Sequence, residues 1–367
     1  MTWDHPRGFA PLVAASRAWQ ALGGPAIEWD RRSLQDFETF PVEELARLYD
    51  LIVIDHPHVG QVARHGCLAS LETLVPADTL AAIAAGSVGR SHKSYCWQGR
   101  QLAFAIDAAT QVQAWVPGRI GGPVRRWRDL AGLDILRQVR LPLRAPHSLM
   151  ALFSLCGLHG IALENGGPEL FPPEAERALS DLAALAAAVD PACYGMDPIA
   201  VLEEMGGRRS AICVAPLVYG YVSYALEDFR DERIRFADVP AIGAAGVAGT
   251  ALGGTGIAVS ALAKDLPAAS AFAAWVASGP IQAGLYAESG GQPAHADAWG
   301  AEAVNAPVAD FYRATRATID AAWMRPRHDG YMAFQSAASD RLNGGLRSGE
   351  APGDILAALN RLFGESL

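Results

Sequence analysis

Four consecutive apolar residues, Leu51-Ile52-Val53-Ile54, run straight into Asp55-His56-Pro57-His58. A short unbroken apolar run of this kind fits a strand buried on both faces, the pattern of a parallel sheet. Pro57 forbids further ladder pairing, so the polar side chains begin where the strand stops. In open α/β sheets, ligands lie just beyond the carboxyl ends of the strands. Asp55 and His56 therefore stand either at a ligand or in a strand-end turn that caps the next helix, a role Asp and Pro also fill.

The rest of the chain alternates in the same manner. Trp3-Asp4-His5-Pro6-Arg7-Gly8 reads as a loop after a strand that is very short or missing. Helical spacing with start and stop signals marks residues 11–22, a short helix at Ser33 with Gln35 and Asp36, and residues 42–48, 59–65 and 78–85. Strand alternation marks 26–29. Residues 94–97 and 101–106 flank Gln98-Gly99-Arg100 as a hairpin, whose second arm ends at Asp107; 112–116 is a further strand closed by Pro117-Gly118. Helices are expected at 149–158, 174–189, 266–278, 281–288, 308–322 and 355–363, and strands at 210–214, 234–239 and 257–259. Residues 243–256, rich in Gly and Ala, are the most linker-like passage. Strands alternating with helices give the α/β class.

At 367 residues the chain exceeds what one core usually organises, so two lobes are expected. No apolar run reaches the ~18–20 residues of a membrane span. A net charge of −9 argues against nucleic-acid binding. The five cysteines show no CxxC spacing and no disulfide framework; Cys156 and Cys213 sit in apolar runs as small core residues. Met1-Thr2-Trp3-Asp4-His5 has neither a basic n-region nor an apolar h-region, so the chain reads as a mature or trimmed form or as a cytoplasmic protein.

Several residues could carry chemistry. Asp107 either accepts hydrogen bonds from a ligand or caps a helix. Tyr219, Tyr221 and Tyr224 crowd the region after the Cys213 strand; such rings suit the apolar faces of sugars, and they also fill cores. There is no Gly-x-Ser-x-Gly elbow, and Gly253-Gly254-Thr255-Gly256 is not a P-loop. The spacing of His5, Asp55, His56 and His58 matches no metal motif, so no metal and no cofactor are expected.

Five blocks together resemble the bacterial extracellular solute-binding proteins of family 1: DLIVIDHPHVGQVARHGCLASLETL (50–74), GRQLAFAIDAATQVQAWVP (99–117), RRSAICVAPLVYGYVSYA (208–225), GGTGIAVSALAKDLPAASAFAAWVASGPIQAGLYAESGGQPA (253–294), and WMRPRHDGYMAFQ (323–335) with LNRLF (359–363). The resemblance implies a type II periplasmic-binding-protein fold, with two α/β lobes joined by a hinge and a ligand cleft between them. The N-terminal lobe would comprise 1–108 and 253–298, the C-terminal lobe 109–252 and 299–367. It implies a monomeric, non-enzymatic, periplasmic protein that binds a sugar, polyol or hydroxylated acid and delivers it to an ABC-transporter permease. The implied ligand contacts are Trp3, Asp4, His5, Asp55, His56, Asp107, Tyr219, Tyr221, Gly254, Thr255 and Arg325. Two rival readings stay open: a cytoplasmic small-molecule sensor or carrier, and an enzyme on the same fold that uses a His/Asp pair such as His56 with Asp4 or Asp55.

Overall fold

In the computed structural model of the chain, residues 1–33, 40–163 and 166–367 are described. Strands fall at Thr2–Trp3 (β1), Arg31–Arg32 (β2), Leu51–Asp55 (β3), Cys96–Trp97 (β4), Arg100–Gln101 (β5), Phe104–Trp115 (β6), Val214–Tyr219 (β7), Arg235–Ala237 (β8) and Leu252–Val259 (β9), with helices filling most of the intervals. The α/β class therefore stands. The short helix expected at Ser33 rests on Gln35 and Asp36, which lie outside the described residues. The chain folds as two units. The first comprises 1–109, 253–306 and 327–329; the second comprises 110–252, 307–326 and 330–367. Residues 109, 299–306 and 327–329 thus group with the first unit, where the sequence assigned them to the second.

In the first unit, β1 is the very short strand that precedes the first loop, and it pairs in parallel with β2. The alternating 26–29 stretch forms no strand; Trp29 instead donates from its indole to Ser16 Oγ at 2.8 Å. The first helix runs Pro6–Ala21, five residues earlier than expected, because His5 caps it and Pro6 supplies a preset first position. β3 is buried through Ile54, but its partner β9 is antiparallel, with Asp55 opposite Thr255. Continuous burial, not strand direction, is what its apolar run encodes. β9 begins inside the linker-like stretch, since Gly254 and Gly256 lie where side chains would clash.

Residues 327–329 are pinned here by specific contacts. Arg327 donates to the carbonyls of Ser94 and Cys96, both at 2.8 Å, and covers the Trp97 ring, 5.4 Å from its centroid. A Cβ on Gly60 would lie 1.9 Å from the Arg327 carbonyl oxygen.

In the second unit, eleven of the twelve residues of helix His147–Leu158 are buried. Helices Ala175–Ala188 and Tyr331–Ser348 pack against it, and Pro352–Ser366 packs against those two. The 331–348 helix was hidden in the sequence by its Gly, Asn and Ser content. β7 starts at Val214 and includes Pro216, because the register against β6 slips between Val112 and Ala114 and leaves room for a residue without an N–H. The expected helix over 308–322 is two short ones, Phe311–Ala314 and Arg316–Asp320. Asp238 accepts from both the amide and the hydroxyl of Thr318, at 2.9 and 2.7 Å, and holds the second piece in place.

A Gly60→Ala substitution must push the 327–329 segment away from the helix Val59–His65. We expect a loss of about 1–3 kcal/mol in chemical denaturation, the usual cost of overpacking; an unchanged midpoint would show that the segment gives way freely.

Candidate functional site

The first loop divides its side chains. Trp3 is buried with its ring against Gly8, where a Cβ would lie 2.4 Å away. His5 is buried too, and its Nδ1 accepts from the Arg7 amide at 3.1 Å. Asp4 points outward with its side chain 57% exposed and pairs with Arg31 at 3.0 Å. Its ion-pair partner is therefore Arg31, where the rival reading paired it with His56.

Asp107 is where sequence reading and structure differ most. It does not end a strand; β6 runs through it for eight more residues. Its side chain is fully buried, and Arg7 grips both carboxylate oxygens: Nε donates to Oδ2 at 2.7 Å and Nη2 to Oδ1. Burial pushes the carboxyl upward from its ordinary range, and the guanidinium beside it opposes that push. A carboxylate held this way is bonded within the chain, and it neither ends the strand nor caps a helix. The sequence held the signal in Arg7, a cation on an otherwise small and apolar helix face, but nothing in the spacing joined it to a residue 100 positions away.

At the end of β3, Asp55 caps the turn His56–His58, accepting from the His56 amide at 2.8 Å, with His56 Nδ1 3.2 Å from the same oxygen. His56 is fully buried and meets Tyr95 edge-on at 6.3 Å. The Tyr95 hydroxyl lies 3.3 Å from the Ile54 carbonyl and 3.2 Å from that of Gly254. Gly254 has φ +98°, and a Cβ there would fall 2.3 Å from the Asp107 carbonyl. Thr255 is buried opposite Asp55, and its hydroxyl has no partner among the described residues. Asp55, His56, Gly254 and Thr255 therefore gather around Tyr95. No group of three or more His, Cys, Asp or Glu among the described residues is arranged to hold a metal ion.

The second unit gathers a separate set. Tyr219 closes β7 opposite Gln111, and its ring lies 6.2 Å from that of His147. Gln111 is fully buried; its Oε1 accepts from Ser154 Oγ at 2.6 Å. Arg325 is buried and donates to Gln335 at 3.0 Å. Tyr221 is buried as well. Tyr224 is structural: its hydroxyl donates to Glu203 at 2.6 Å, and burial with that carboxylate raises the phenol far above its usual range. Sequence reasoning passed over Gln111, His147 and Ser148. The one signal was Pro146-His147-Ser148, polar residues at the mouth of an otherwise apolar helix. Burial, opposed by Asp197 and reinforced by the positive Arg144 and Arg325, lowers the His147 imidazole to about 4.

By sequence, no family model and no curated protein matches the chain. By structure, many solved proteins do. A solute-binding protein from Thermotoga lettingae bound with α-D-tagatose superimposes with a TM-score of 0.81 at 15% identity, covering 97% of this chain and 95% of that one. The chain has the fold of the two-lobed solute-binding proteins. The GacH receptor of Streptomyces glaucescens, solved unliganded and with acarbose, matches with a TM-score of 0.80 at 15% identity over 100% and 97% of the two chains. A solute-binding protein from Agrobacterium radiobacter in complex with ribitol matches at 0.77, with 17% identity over 98% and 95%. Both expected α/β lobes are thus present. No helix is long and apolar enough to cross a membrane among the described residues.

Two consequences can be measured. Arg7→Met strands a buried carboxylate and should cost about 3–5 kcal/mol of stability, most of it regained in Arg7→Met/Asp107→Leu; a double mutant no better than the single would mean packing, not charge, sets the loss. For His147, the folded state titrates near 4 and the unfolded chain near 6.5. Above pH 6.5 both are neutral. As pH falls towards 4, the unfolded chain takes up a proton that the folded protein refuses, so stability drops by on the order of 3 kcal/mol. His147→Gln should flatten that part of the pH–stability curve; an identical slope would remove His147 as its source.

Proposed function

We propose that this chain is the solute-binding component of an ABC importer, and that it holds a small hydroxylated ligand, a carbohydrate in the first instance, between its two lobes by hinge closure. The observation that carries the reading is the end-to-end likeness in fold to proteins solved with tagatose, acarbose and ribitol, over 95% or more of both chains in each case.

The first lobe offers Asp55, His56, Gly254 and Thr255 at strand ends. There Thr255 brings a buried hydroxyl without a partner among the described residues, and the absence of a side chain at Gly254 lets backbone approach closely. Trp3 and His5 lie in the neighbouring loop. The second lobe offers Tyr219 and Tyr221 as ring faces, with Arg325 beside His147. Rings stack on the apolar faces of a sugar while carboxylate and hydroxyl groups reach its rim. Ligand binding then shifts the population towards the closed form. In this reading the protein works outside the cytoplasmic membrane beside a permease, catalyses no reaction, and acts as a monomer.

A thermal-shift panel of maltose, ribitol, tagatose and related sugars tests it. A true ligand at ~100 times its Kd stabilises by roughly 2.7 kcal/mol, and Asp55→Ala or Tyr219→Ala should remove most of the shift while the proteins still melt cooperatively. Recovery of a chemically altered compound would favour the enzyme reading instead, and fractionation of the untagged protein into the cytoplasm would favour the sensor or carrier.

A further inference from the structure

The helix His147–Leu158 begins in the interior with its first turn unanswered. Its cap residue, Pro146, has no side chain able to accept, and no acidic residue sits in the first turn. The amide of His147 bonds to the Arg144 carbonyl and that of Met150 to Pro146. The amides of Ser148 and Leu149, both fully buried residues, have no backbone acceptor outside the helix among the described residues. A helix start buried without partners calls for an external acceptor.

Three side chains around it are in the same condition. Ser148 Oγ, His147 Nδ1 and Gln111 Nε2 are all buried and have no partner among the described residues. Ser148 and Gln111 are fully buried, and His147 is 4% exposed. They belong together: Tyr219 touches the His147 ring and sits opposite Gln111, and Gln111 is tied to the same helix through Ser154. The set is dominated by donors. The Gln111 amide nitrogen and the two backbone N–H groups can only donate, and Ser148 Oγ and His147 Nδ1 can do either. Its complement is a group rich in lone pairs that brings no proton of its own. A sugar hydroxyl must also place a hydrogen, and only Ser148 Oγ or His147 Nδ1 could take it. A carboxylate fits well: it has about four acceptor sites, and the positive end of a twelve-residue helix favours its charge.

We propose that the ligand is a hydroxylated acid, and that Gln111, His147, Ser148 and the first-turn amides of the helix hold its carboxylate. The proposal rests on the solute-binding reading above and names the class of solute.

Isothermal titration with matched probes tests it: D-glucuronate against D-glucose, D-glucuronate methyl ester as the uncharged mimic, and D-gluconate against ribitol. We expect an acid to bind at least tenfold more tightly than its neutral counterpart and the ester to lose that advantage. Ser148→Ala and Gln111→Leu should each weaken acid binding about tenfold or more, with melting curves showing that both variants fold. Equal or tighter binding of the neutral member overturns the carboxylate assignment and leaves the solute-binding reading intact. An acid preference that survives both substitutions overturns the placement. No binding by any probe, acid or neutral, counts against both.

Discussion

A buried carboxylate cannot stand alone, and the first unit is arranged around that constraint. Asp107 lies inside a long strand, out of reach of water, and it stays there because Arg7 comes to it from the first helix with two donors in fixed geometry. His5 caps the helix at the residue that positions Arg7. The Asp107 carbonyl leaves no room for a side chain at residue 254, and the neighbouring Ala108 exchanges hydrogen bonds with Gln292. First helix, β6, the start of β9 and the 292 turn are all located by the surroundings of one residue.

That arrangement also explains what could be read in advance. The apolar run at 51–54 was legible because burial on both faces needs only composition, and the Pro-Pro start with apolar spacing made 175–188 legible as a helix. What failed were features set by distant partners. Asp107 looked like a strand terminus because an unpaired charge would be one, and its cation sits 100 residues away in sequence. Strand direction for β3 depended on β9, inside a stretch whose glycines read as a linker. Pro216 looked like a stop, yet a slipped register absorbed it. Among candidate site residues, Asp55 and Thr255 fall opposite each other in one ladder, a fact the sequence could state only once the pairing was known.

The two units differ in how they treat their most deeply buried polar groups. In the first, the interior charge of Asp107 is answered by a matched charge, although the Thr255 hydroxyl lacks a partner among the described residues. In the second, the helix at 147 starts with Ser148, Gln111 and the leading amides lacking partners among the described residues, beside a histidine that burial keeps neutral. Unsatisfied donors in a dry interior are costly, and retaining several on one spot is what preorganisation for a guest looks like. The tyrosine at 224, by contrast, has its hydroxyl answered by Glu203.

The pairing of β3 with β9 joins residues some 200 positions apart. During synthesis at ~5–20 residues per second, β3 leaves the ribosome roughly 10–40 s before β9 exists. For that interval a strand of Leu, Ile and Val has an open edge, and residues 110–252 of the second unit must be made before it can be covered. The nascent chain therefore carries its stickiest segment exposed through most of its translation, which makes this a protein for which holding factors at the ribosome matter more than the finished stability of either half.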